Sequence, residues 1–281
     1  RRYLETVLFG GALEDFCALP DTTALMRWTG GDVGLFLEIA ADLDLAAMGR
    51  GAGRYLSFGA YPLDEGYGFA RGVWSAGPQP LDTALIREDL SHAWMLGEAA
   101  HPSQGKTFPD QDMRATAYSW CKAPRLAGVP METGALARQV VDGHPLALDL
   151  AGQGGVLARV AARLLELART QILMEHLADT ITPEAQFMSH GKAALNGEGE
   201  GLVEAARGAL GHWIRIEGGR IANYQIIAPT TWNFSPRDTA GVPGPLEAAL
   251  AGAVVEPDAA TPLAVQHIVR SFDPCMVCTV H

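Results

Sequence analysis

Apolar residues recur at helical spacing in the opening stretch: Leu4, Val7, Leu8, Ala12 and Phe16 line one side of a segment from Tyr3 to Leu19 that Pro20 closes. The Gly10-Gly11 pair interrupts this pattern and argues against one unbroken helix. A second amphipathic stretch runs through Val33, Phe36, Leu37, Ile39 and Ala40, with Asp32 as its expected cap. Residues 52–76 change period. There Gly and aromatic residues alternate, as from Tyr55 to Tyr61, and predict short strands and turns. Residues 97–130 hold many Gly, Pro, Asp and Ser with no sustained period, which predicts a long ordered loop of the kind that is functional or packed on a partner.

Helical spacing returns from Glu132 to Val141 and is strongest from Gly155 to Asp179. In that long segment Leu157, Val160, Ala161, Leu164, Leu165, Ala168, Ile172 and Leu173 form one apolar face, while Arg159, Arg163, Glu166 and Arg169 cover part of the other. Pro183 stands just past its end. The run Asn196-Gly197-Glu198-Gly199-Glu200-Gly201 reads as flexible backbone turning tightly. It is not a phosphate loop, since it lacks a preceding strand and a following Lys-Ser/Thr. Trp213 to Ile216 and Ile221 to Ile227 are β-rich, and Glu217-Gly218-Gly219-Arg220 between them suits a hairpin turn with positive φ. Pro229 ends the second strand, and short helices are expected at Pro245–Leu250 and Pro262–Val269. The predicted class is mainly α with small antiparallel β elements (α+β).

Composition narrows the function. With 281 residues, 48% of them hydrophobic, the chain can bury a substantial core in one large or two modest domains. A formal net charge of −11 disfavours nucleic acid or an anionic membrane as partner. No apolar run reaches the ~18 residues of a transmembrane helix. The cysteines are Cys17, Cys121, Cys275 and Cys278, too few for a disulfide-stapled scaffold.

Candidate chemistry gathers in Asp273-Pro274-Cys275-Met276-Val277-Cys278-Thr279-Val280-His281, where two thiols, a carboxylate and an imidazole fall within nine residues. Thiolates at this spacing can face one centre and favour soft or borderline metals such as zinc, nickel or iron clusters. An inert buried pair is the competing reading. Thr279 after Cys278 excludes haem attachment, and structural zinc would call for a second CxxC that neither Cys17 nor Cys121 provides. Arg207, between small residues and just before the β-rich segments, is a candidate to point inward.

Several segments taken in order resemble the large subunit of [NiFe] hydrogenases. They are Tyr118 to Arg125, Pro130 to Arg138, Glu204 to Trp213, Asn223 to Asn233, and Ser271 to His281. The resemblance implies a hydrogenase large-subunit-like helical core, incomplete here, and a Ni–Fe centre with CO and cyanide ligands on iron. Cys275 would be a terminal nickel ligand and Cys278 the thiolate bridging nickel and iron. Arg207 would hang over the open bridging position, with Asp273 holding its charge. Thr230 would donate to an iron-bound cyanide, and Pro229 with the backbone around Arg207, including Ala206, would complete that pocket. His281 and the Ile226 carbonyl would ligate magnesium. Ala206 departs from the family, which commonly carries Pro there and so has a stiffer backbone.

The same resemblance implies partners and a role. The family's RxCGxC motif is absent, so residues 1–281 are expected to form the C-terminal half of a longer large subunit, inactive without its N-terminal half. Iron–sulfur clusters would reside only in a small partner subunit, and maturation proteins would insert the metals. The implied activity is reversible heterolytic cleavage of H2 to protons and electrons. The alternative is a regulatory H2 sensor of the same fold signalling to a kinase, whose subunits likewise end at the final His. A third reading is a complex I-like relative that keeps the fold without the metal site; those relatives resemble the family but lack the cysteine pair retained here. The expected compartment is cytoplasmic, with membrane-associated or periplasmic placement through the small subunit as the alternative.

Overall fold

The computed structural model describes residues 1–186, 188, 191, 194–255, 260 and 262–276. Its helices are α1 (Leu13–Cys17), α2 (Thr22–Leu25), α3 (Gly31–Asp42), α4 (Ala135–Val141), α5 (Pro145–Gln153), α6 (Gly155–Asp179), α7 (Pro229–Asn233), α8 (Pro245–Leu250) and α9 (Leu263–Ser271). Its strands are β1 (Arg54–Pro62), β2 (Tyr67–Ser75), β3 (Pro78–Gln79), β4 (Ile86–Asp89), β5 (Met95–Leu96), β6 (Phe108–Pro109), β7 (Ala123–Leu126), β8 (Gly197–Ala205), β9 (Gly208–Glu217) and β10 (Arg220–Ile227). The strands form two three-stranded sheets, β1-β2-β3 and β10-β9-β8, and two short ladders, β4–β7 and β5–β6, all antiparallel. This is the expected α+β class. No described helix is long and apolar enough to cross a membrane.

The opening segment breaks at Gly10-Gly11, as the pattern predicts, into a π-helical turn over Leu4–Leu8 and α1. α3 begins two residues earlier than expected. Gly30 is its cap, and Asp32 lies in the first turn, where a carboxylate complements the helix dipole instead of capping. Ile39, expected on the apolar face, is exposed together with Leu35 and Leu43, while Val33, Leu37 and Ala40 are buried. The helix expected from Glu132 starts only at Ala135. The Glu132 backbone is already committed to the sheet, donating to Arg54 O and accepting from Leu56 N.

Two expectations are corrected. The glycine run is not a turn. Gly197 to Ala205 is an extended edge strand paired to β9 from Gly197↔Ile216 through Ala205↔Gly208, because cross-strand hydrogen bonds override the low β-propensity of glycine. The stretch 97–130 is loop over most of its length but contains β6 and, at its end, β7, all four of whose residues are buried. The expected hairpin turn holds: Gly218 and Gly219 have φ of +56° and +75° between β9 and β10.

Apolar burial divides into two clusters. One is helical, with Leu157, Ala158, Ala161, Ala162, Leu165 and Ala168 of α6 packed among residues from α1, α3, α4, α5 and α9. The other lies between the sheets and α7, around Phe58, Ile86, Met131, Trp213, Ile227 and Trp232. Alanines on α6 let its neighbours approach closely, as small residues do at helix contacts.

The charged side chains of α6 are drawn into pairs with other elements. Arg159 is 4% exposed and pairs with Glu132 at 2.8 Å. Glu166 accepts from Arg138 of α4 at 2.6 and 2.8 Å, and Arg169 pairs with Asp142 at 2.6 Å. Arg138 also reaches Glu204 of β8 at 2.7 Å, joining the helical layer to the sheet. Further buried pairs are Arg125–Asp238 and Lys122–Glu88. Burial pushes the Glu204 carboxyl up to about 7 against the attraction of Arg138, and pushes Glu88 up against that of Lys122.

Gly208 opens β9 with φ +133°, and a Cβ there would stand 2.5 Å from Thr133 Oγ1 and 2.7 Å from Gly134 N. Gly208→Ala should therefore lower unfolding stability by about 2 kcal/mol or more, measured by urea titration. A neutral substitution would mean that the Thr133–Gly134 loop yields freely. Glu204 generates a second expectation. Between the ordinary carboxyl range and about pH 7 the folded chain holds a proton that the unfolded chain has released. The stability due to that proton is complete below the ordinary range and is lost as pH rises through about 7. Stability should fall by up to about 1.4 kcal/mol per pH unit across that window. Glu204→Gln should flatten the slope; an unchanged slope would assign the titration to another group.

Candidate functional site

Four short pieces of chain converge where the sequence placed its chemistry. The first is the tip of the β8–β9 hairpin. Ala205↔Gly208 is its last pair, so Ala206 and Arg207 form a two-residue turn with both side chains exposed. The second is the end of α9, where Asp273 adopts φ +49° just beyond the helix. The third is the N-terminus of α7, with Pro229 at its first turn, where its fixed φ suits helix entry. The fourth is the Thr133–Gly134 loop leading into α4.

Arg207 Nε lies 3.9 Å from Asp273 Oδ1, and each side chain is a little under half exposed. A contact so long and so wet constrains the guanidinium weakly. Thr230 is 3% exposed, and its Oγ1 accepts from Cys275 N at 3.3 Å, which ties the chain after Asp273 to α7. Among the described residues the Thr230 hydroxyl donates to no acceptor of its own. Cys275 is half-buried and forms no disulfide. Cys278 and His281 lie outside the described residues. Cys17 sits at the end of α1, where burial pushes its thiol up to about 11 and keeps it protonated at neutral pH.

Backbone contacts hold these pieces. Arg163 Nη1 donates to Ser271 O at 2.5 Å, and Arg159 Nη1 to Ser271 Oγ at 3.3 Å. The Arg159 guanidinium also stacks 3.7 Å over the Phe272 ring, so α6 fixes the segment that carries Asp273. The Asn233 amide clasps Thr133 in both directions at 3.0 Å, joining α7 to the Thr133–Gly134 loop. Arg138 Nη1 and Nη2 donate to the carbonyls of Ala205 and Ala206 at 3.0 and 2.9 Å. Beneath Arg207 a cleft of about 20 Å³, room for roughly one water, is lined by Thr133, Arg163, Ala206, Phe272 and Asp273. The Thr133 hydroxyl, buried and without a partner among the described residues, is one of its walls.

Ile226, the expected carbonyl ligand, lies on edge strand β10 opposite His212, with its side chain 48% exposed. Its neighbour Gln225 is buried and accepts from Lys122 at 3.1 Å and from Thr107 at 2.9 Å. Among the described residues no cluster of three or more His, Cys, Asp or Glu side chains is arranged to hold a metal ion. Sequence reasoning missed Arg138, Arg159, Arg163 and Asn233. Arg138 and Asn233 fall inside segments that carry the family resemblance, which was the available signal; the α6 arginines stand on the helix's charged face, where periodicity names no partner for them.

Residues 33–281 match the family model of nickel-dependent hydrogenases. The chain is 34% identical over 264 residues to the periplasmic [NiFeSe] hydrogenase large subunit of Desulfomicrobium baculatum, covering 85% of this chain and 51% of that one. It is 33% identical to the quinone-reactive Ni/Fe-hydrogenase large chain of Wolinella succinogenes, covering 70% and 41%. Among solved structures, the Ni-Fe-Se hydrogenase of D. vulgaris Hildenborough in the reduced state superposes with a TM-score of 0.79 at 29% identity, covering 94% of this chain and 62% of that one. The chain thus spans about half the length of the curated relatives it matches. From its match over most of its length and its shared architecture, the chain belongs to the nickel-dependent hydrogenase family.

Proposed function

We propose that this chain supplies the C-terminal, metal-holding part of a [NiFe] hydrogenase large subunit that cleaves H2 reversibly and heterolytically to protons and electrons. The observation that carries the reading is the meeting of Arg207, Asp273, Thr230 and Cys275 at one place, immediately before the second cysteine of the CxxC ending.

The residues present fit a Ni–Fe group. Cys275 offers a soft donor, and Thr230 keeps its hydroxyl proton available after accepting from Cys275 N. Ala206 and Pro229 would line the pocket that takes the diatomic ligands. Cys275 and Cys278 would hold the nickel side, with Cys278 shared with iron, and Thr230 would donate to an iron-bound cyanide. Two further thiolates would come from an RxCGxC segment outside this chain. His281 and the Ile226 carbonyl would hold magnesium and so anchor the ending. When bound, the Ni–Fe group supplies the redox chemistry of H2.

The chain's own residues do the rest. The Arg207 guanidinium would offer positive charge and directed N–H groups to the bound group, and electrostatic positioning is the role proposed for it. Asp273, 3.9 Å away, places a weak, half-exposed counter-charge beside it. Electrons would leave through an iron–sulfur small subunit, and maturation proteins would load the metals.

The test is made on the full-length large subunit with its small subunit. Infrared bands of iron-bound CO and cyanide, with stoichiometric nickel by elemental analysis, are expected; their absence would sink the hydrogenase reading. Cys275→Ser should abolish nickel binding. Arg207→Lys should keep nickel and the infrared bands while H2 oxidation falls by about a hundredfold or more. Full activity in that variant would remove Arg207 from the reaction.

A further inference from the structure

Arg207 stands on a turn of two residues, and its own contact with Asp273 is too long and too exposed to aim it. Something else must fix its direction, and the fixing has to act on the backbone. Ala206 does not do so, because it lacks the ring by which a proline would lock φ.

We propose that Arg138 of α4 is the positioning residue for Arg207, its guanidinium gripping the carbonyls of Ala205 and Ala206 and so setting the direction in which the hairpin tip presents Arg207. The proposal rests on the hydrogenase reading for its catalytic consequence, though not for its geometry. Arg138 is 2% exposed and is itself immobilised. Nε and Nη2 form a fork with Glu166 of α6, and Nη1 reaches Glu204 of β8. A planar guanidinium so held has its remaining N–H directions fixed, and they point at two consecutive carbonyls of the chain entering the turn. The far side of the turn is gripped as well. A Cβ on Gly134 would lie 3.4 Å from Arg207 O, and one on Gly208 would meet Thr133. The Arg207 peptide therefore sits between a hydrogen-bonded clamp and a close-packed loop, and both belong to the start of α4.

A purely structural Arg138 would also be buried and paired, so the test needs readouts that lost stability does not move. In the full-length large subunit with its small subunit, Arg138→Lys keeps a cation for Glu166 and Glu204 but cannot fork to both carbonyls. A crystal structure of this variant should show the Ala206–Arg207 turn shifted and Arg207 withdrawn from Asp273. Nickel content and infrared bands should match wild type, and kcat for H2 oxidation should fall about ten- to a hundredfold at unchanged KM. Adding Ala206→Pro should restore most of kcat by stiffening the turn. Leu150→Ala, a core change on α5, should lower stability while leaving kcat as in wild type. An undisturbed turn in Arg138→Lys, an undiminished kcat, or an equal loss in Leu150→Ala would overturn the proposal. If wild-type protein lacks the infrared bands, the hydrogenase reading fails, while the crystal structure of the variant still decides whether Arg138 fixes the turn.

Discussion

Everything near the site depends on guanidinium groups buried between α4, α6 and the sheet. Arg138, Arg159, Arg163 and Arg169 each leave solvent to meet a carboxylate or a carbonyl from another element. Such pairs contribute little net stability, since desolvation offsets most of their Coulomb energy. Breaking one is costly, because it strands a charge in a medium that solvates it poorly. Their effect is therefore on geometry: each fork fixes an angle and a register that apolar contact alone would leave loose. The helical layer and the β8–β9–β10 sheet share no continuous apolar core, and the Arg138–Glu204 contact is one of the bonds that join them.

This explains how a site assembled from a hairpin tip, two helix ends and a loop can keep its shape. None of those pieces is rigid by itself. The two-residue turn has no side-chain lock, and Asp273 adopts left-handed backbone that a non-glycine residue enters only under constraint. Each piece is anchored within two residues of its chemistry: Ser271 by Arg159 and Arg163, Thr133 by Asn233, Ala205 and Ala206 by Arg138, Cys275 by Thr230. Most of the anchors fall on backbone atoms, with Ser271 Oγ and the Phe272 ring as the side-chain exceptions.

The charge placement follows the same division. Burial drives Glu204 toward neutrality while two carboxylates keep Arg138 protonated, so the cluster can carry one negative charge less without losing its hydrogen bonds. Arg207 and Asp273 stand outside that cluster, each a little under half exposed.

The sequence by itself determined the elements with a local cause. The α6 span from Gly155 to Asp179, the Gly218-Gly219 hairpin turn and α8 at Pro245–Leu250 follow from side-chain period, positive-φ demand and the helix-starting preference of proline. It also named Arg207, Thr230, Asp273 and Cys275, because the family's motifs keep these residues in fixed order. Only the tertiary structure decided the rest. Gly197–Ala205 became a strand because β9 supplied its hydrogen-bond partners, and Ala123–Leu126 because β4 did. The polar face of α6 turned inward because Glu132, Asp142 and Arg138 arrive there from elsewhere in the chain. Periodicity separates apolar from polar positions; it does not distinguish an arginine facing water from one facing a carboxylate many residues away, since that difference exists only once the chain has folded.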